Sequence, residues 1–139
     1  MKKAILVLLF ISVIQNALAQ SEDHYEFMEA SRTSILKTFT NLERIYTGDY
    51  KQLVYNGEDD TKFYFYFNDE NKCYMFLILK ETDFLERAKI TLSSTYPNKK
   101  DTGDIIFFWN ERMMCSLLID EDNLKIVFQK VLPELLNQK

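Results

Sequence analysis

Thr61-Lys62-Phe63-Tyr64-Phe65-Tyr66-Phe67, then Asn68-Asp69-Glu70-Asn71, then the run Lys72 to Lys80 (KCYMFLILK), is the stretch on which the fold turns. Five consecutive aromatics followed by an aliphatic run suit extended backbone, because such side chains pack well on a pleated surface. Four polar residues can reverse an antiparallel pair but cannot cross over a sheet, so the two runs predict a β-hairpin. Successive side chains on a strand point to opposite faces. Phe63, Phe65 and Phe67 therefore share one side, and Tyr64 and Tyr66 the other. The simplest arrangement buries the phenylalanines under helices and leaves the phenols where one end of the ring stays wet.

Working outward, Gln52 to Tyr55 reads as a further short strand ending at the turn dipeptide Asn56-Gly57. Downstream, three runs (104–109, 113–119 and 124–130) are joined by short polar connections and predict a meander. Between the two strand groups, Asp83 resembles an N-cap with Glu86 three residues on, and Phe84, Leu85, Ala88 and Leu92 make one apolar face. That helix should stop before Tyr96-Pro97. At the front, Met28, Ile35, Phe39, Leu42 and Tyr46 recur at helical spacing, which predicts one long helix from Ser21 to Tyr46, closed by Gly48. Pro133 suits the first turn of a last short helix.

The expected fold class is therefore α+β, in the order α-β-β-α-β-β-β-α. It is a two-layer domain: an antiparallel sheet of about five strands, with the long N-terminal helix and a second helix on one face. No internal repeat and no linker is read, so residues 20–139 form a single compact domain.

Residues 1–19 read as a cleaved signal peptide. Lys2 and Lys3 precede an apolar run from Ala4 to Ile14, and Ala17-Leu18-Ala19 offers the small-x-small pattern for cleavage after Ala19. The run is well short of the roughly 20 residues a membrane-crossing helix needs. The expected location is secreted or periplasmic. The lysine-rich signal, aromatic strands and scarce glycines are similar to those of small exported bacterial proteins.

Charge excludes some partners. The full chain has 17 Lys and Arg against 21 Asp and Glu, and losing residues 1–19 removes two lysines and no acid. Without a basic stripe, nucleic acid is not an expected partner, nor is an anionic membrane surface after cleavage.

Catalytic signatures are absent as well. His24 is the sole histidine, which leaves no basis for a Ser-His-Asp or Cys-His arrangement, and no catalytic residue is assigned. Two cysteines and one histidine are poor material for zinc, Asp120-Glu121-Asp122-Asn123 lacks the pattern of a calcium loop, and no Gly-rich phosphate loop occurs. No metal or cofactor is expected. Cys73 and Cys115 permit one disulfide in an oxidising compartment, but two buried free thiols are the favoured reading.

One feature does point to function. Ile105, Phe107 and Trp109 alternate with Ile106 and Phe108, so both faces of the sheet carry apolar groups. The second face could be covered by a loop or the C-terminal segment, could join a second copy or another protein, or could present Tyr64, Tyr66 and Trp109 as a platform for a glycan. The expectation is an exported binding protein acting through this face on an unknown protein or glycan, with a homodimer among the outcomes. The alternative is a small cell-wall or glycan hydrolase using paired carboxylates.

Overall fold

The computed structural model describes residues 25–57 and 60–136. Ser21, His24 and the expected signal peptide lie outside the described residues. The strands are β1 (Glu43–Ile45), β2 (Gln52–Asn56), β3 (Lys62–Phe67), β4 (Cys73–Glu81), β5 (Asn98–Asp101), β6 (Ile105–Trp109), β7 (Met113–Asp120) and β8 (Asn123–Lys130). The helices are α1 (Arg32–Thr38), α2 (Leu85–Thr95) and α3 (Pro133–Leu136), with 3-10 turns at Tyr25–Phe27 and Thr82–Phe84. All eight strands form one antiparallel sheet in the order β1-β2-β3-β4-β8-β7-β6-β5.

The expected fold class needs correcting in two respects: the sheet has eight strands instead of about five, and the long N-terminal helix does not form. Its face is real, since Met28, Ile35 and Phe39 are buried, but two helical pieces and a strand share the segment. Glu29 takes a left-handed φ of 66°, and its N–H donates to the Cys73 carbonyl at 2.7 Å. Cys73 N–H returns a bond to the Ala30 carbonyl at 2.8 Å. Backbone that would have bonded within a helix is thus spent on the start of β4. Ser31 then caps a fresh helix, accepting from Ser34 N–H at 3.1 Å. Leu42 is only partly buried and Tyr46 is exposed, because residues 43–45 pair with β2.

The second missed strand, β5, is Asn98-Lys99-Lys100-Asp101, exposed at every residue. Ladder hydrogen bonds come from the backbone, so its pairing with β6 needs no apolar alternation. Lysines at this edge discourage pairing with another chain. Asp83 is not the cap of α2: Phe84 occupies that position, with no side-chain cap bond.

The hairpin is set by its turn. Asn68 Oδ1 accepts from Glu70 N–H at 2.9 Å and Lys72 N–H at 3.1 Å, while Asn71 takes a φ of 59°, a conformation asparagine tolerates. Cross-strand partners then define the faces. Leu53, Phe65, Phe76, Phe128, Cys115 and Phe108 follow one another directly across six strands. Tyr55, Phe63, Ile78, Ile126, Leu117 and Ile106 form the next row on the same side. This face is the core. Phe27 and Phe39 from the N-terminal segment meet Phe65 with centroids 6.0 and 5.2 Å apart, and Ala88, Leu92 and Tyr96 of α2 and its cap join the same cluster.

The register also reveals an internal repeat that composition hides. Each half is a 3-10 turn, a helix and a four-stranded meander, and the halves meet where β4 pairs with β8. A two-fold relation maps Leu53, Phe65 and Phe76 onto Ile106, Leu117 and Ile126. The paired Leu77 and Val127 sit on its axis. Phe27, Ile35 and Phe39 correspond likewise to Phe84, Leu92 and Tyr96, at a constant offset. Conserved hydropathy with few shared identities is what makes such a repeat invisible to a residue-by-residue reading.

Candidate functional site: the open face of the sheet

The other side chains of the same strands make the second face. Val54, Tyr64, Leu77, Val127, Ser116 and Phe107 form its central row, and Gln52, Tyr66, Met75, Gln129, Met114 and Trp109 the next. Outside these, Lys62, Leu79, Lys125, Leu118 and Ile105 make a third row with charge spaced among the aliphatics. Helix α2 and the N-terminal segment belong to the core side, and α3 buries none of its residues. Tyr64, Tyr66, Met75, Leu77, Phe107 and Val127 are half-buried, whereas Val54, Met114, Ser116 and Trp109 of the same rows are buried.

Tyr64 and Tyr66 stack along β3, centroids 6.4 Å apart and planes 11° from parallel. Burial raises the Tyr66 phenol above its ordinary value, a hydrogen bond from Gln52 opposes that, and Tyr64 and Tyr74 add to the rise. A register irregularity between Tyr66 and Phe67 brings exposed Tyr74 into that field, a third tyrosine the sequence did not flag. Only the bulge, which alternation cannot foretell, puts it there.

Trp109 lies on the same face and even in the same row as Tyr66, but the two do not form one platform. Met75, Gln129 and Met114 stand between them, so four strand spacings, about 19 Å, separate them. Trp109 is also only 8% exposed, leaving little ring for a sugar to stack on. What the face presents is breadth: aliphatic, Met and Tyr side chains spread over several strands, with glutamines and lysines interspersed. The residues that alternation underrated, Met75, Leu77 and Val127, occupy its centre because β8 inserts beside β4.

The cysteines are far from any chemistry. Both are free and buried, and β8 lies between their strands, so they are at least about 10 Å apart, beyond the roughly 7 Å a bridge tolerates. Burial pushes the Cys73 thiol up to about 11 and the Cys115 thiol well above its ordinary value. Carboxylates gather in one concavity, where Asp60, Glu81 and Asp83 stand with Lys80 and Phe84. All three acids are exposed, whereas a general acid needs an apolar pocket to hold its proton near neutrality. Among the described residues no cluster of three or more His, Cys, Asp or Glu is placed to hold a metal ion.

No family model matches the chain, and no curated protein matches it. Among solved structures it is similar to a DUF4309 family protein (YjgB) from Bacillus subtilis, with a TM-score of 0.50 and 10% identity over 86% of this chain and 97% of that one. At that identity the likeness shows the fold alone, a sheet-dominated antiparallel architecture. Among the described residues no helix is long and apolar enough to cross a membrane.

Proposed function

We propose that this chain is an exported, non-catalytic binding protein that engages a protein partner through the open face of its sheet. The observation behind the reading is the half-buried patch of Tyr64, Tyr66, Met75, Leu77 and Val127 over β3, β4 and β8, on the side opposite α2 and the N-terminal segment. Extended apolar surface rimmed by polar groups is the usual mark of a protein interface. A glycan platform of Tyr64, Tyr66 and Trp109 is disfavoured because Trp109 is buried and stands about 19 Å from Tyr66. A hydrolase would need sheltered carboxylates where Asp60, Glu81 and Asp83 are exposed. Export rests on the residue 1–19 pattern and is part of the same proposal.

Site-directed photo-crosslinking tests it. A photoreactive phenylalanine at Tyr64 should yield a discrete protein adduct in the exporting cell, lost when Leu77→Lys is added. The same probe at exposed Ile90 on α2 serves as control. Equal labelling at both positions, or an adduct indifferent to Leu77→Lys, would remove the open face from consideration.

A further inference from the structure

A second feature lies at the β1 edge of the sheet. A cavity of about 180 Å³ is lined by Arg32 at the start of α1, Arg44 on β1, the loop Tyr46 to Tyr50, and Gln52 and Leu53 on β2. No carboxylate among the described residues pairs with either guanidinium. Arg44 donates from Nη2 to the Tyr46 hydroxyl at 2.5 Å and stacks over that ring at 4.3 Å from its centroid, which holds the fork in place. Asp49, the one acid on the lining, uses its Oδ1 to accept from Lys51 N–H at 2.9 Å within its own turn.

On this lining Arg32 Nε is buried without a partner, and behind it, outside the lining, so is the Tyr55 hydroxyl. Tyr55 is only 2% exposed and stands directly opposite Arg44 in the β1–β2 register. Burial raises its phenol while Arg44 and Arg32 pull it down, so the hydroxyl keeps its proton and lies within the field of both arginines. A buried donor left unpaired is costly, and Arg32 Nε beside two guanidinium groups without a carboxylate partner marks a place that an anion would complete.

We propose that this cavity binds a phosphate-class oxyanion, held between the guanidinium groups of Arg32 and Arg44. Two guanidinium forks, one from α1 and one from β1, can each take a pair of oxygens, which suits a tetrahedral phosphoryl group better than a planar carboxylate. The volume leaves room for a small group esterified to it. Arg44 of this lining is on the core side whereas Gln52 belongs to the open face, so the cavity sits at the edge where the two faces meet.

Calorimetric titration of the folded protein with inorganic phosphate and with glycerol 3-phosphate, against chloride of equal ionic strength, tests this. At least one phosphate probe should bind saturably, and the tighter of the two tells whether the free ion or a monoester is the ligand. Arg32→Gln and Arg44→Gln should each weaken binding about tenfold. Arg44→Lys, which keeps the charge and loses the fork, should also weaken it. Tyr55→Phe, which alters only a buried hydroxyl outside the lining, should leave binding unchanged. Heats no larger than with chloride for both probes, or undiminished binding in all three arginine variants, overturns the proposal.

Discussion

Phe76 and Phe128 face each other across β4 and β8, with ring centroids 4.5 Å apart and planes 10° from parallel. The two residues belong to different halves of the repeat, and their stack lies where the two meanders join. One continuous core cluster spans that junction, so the halves should melt together rather than one after the other.

The stack gives the first prediction. Phe128→Ala should lower unfolding stability by about 3–5 kcal/mol in a urea titration, the range for deleting a buried ring. The transition should remain single. Two resolved transitions in the wild type would show that the halves are independent units.

A neighbouring pair separates the faces. Phe65→Ala, on the core side, should cost about 3–5 kcal/mol. Substituting Tyr64 and Tyr66 by Ser should abolish partner capture and cost only about 1 kcal/mol each in chemical denaturation. Equal losses for Phe65 and Tyr66 would mean that the second face is core.

The cysteines predict both reactivity and pH dependence. Thiol reagents at pH 8 should label neither cysteine until denaturant is added, and the unreduced mass should show no loss of two hydrogens. Folding raises the Cys73 value above its ordinary 9.0, to about 11. The associated stability is therefore fully present below pH 9 and drains away as pH climbs towards 11. Cys73→Ala should flatten that alkaline fall in melting temperature.

Glu29 and Lys130 tie the first turn to the end of β8 across 101 residues, with Nζ 2.5 Å from Oε1. The bond from Lys130 holds the Glu29 carboxyl below its ordinary 4.5. The contribution is thus complete above that value and disappears as pH falls through the lowered one. Glu29→Gln should make stability less sensitive to acid and to added salt between pH 5 and pH 3, read by scanning calorimetry. An unchanged acid slope would show that the pair is idle in solution.

How much of this was legible before the structure varies by element. The hairpin at 61–80 and the strands of the later meander are written in period-two alternation and Asn-rich turns, and α2 in its apolar face and the proline beyond it. The N-terminal helix misled because Met28, Ile35 and Phe39 keep helical spacing whether one helix holds them or two. The deciding event, Glu29 N–H bonding to Cys73, joins residues 44 positions apart and leaves no local trace. Strand β5 escaped notice because backbone pairing asks nothing of Lys99 and Lys100.

Residue order alone settled which side chains of each strand share a side, since that parity is a property of the chain's own geometry. It placed Tyr64 and Tyr66 apart from the phenylalanines and marked both sides of the sheet as apolar. Strand order, and with it the sites, belonged to the tertiary structure. Only the docking of β8 against β4 puts Leu77 and Val127 at the centre of the open face, and only the pairing of β1 with β2 sets Arg44 against Tyr55. The first joins residues 50 apart and is held by rows assembled from the whole chain, while the second, only 11 residues apart, required the N-terminal segment to leave its helix for the β1 pairing.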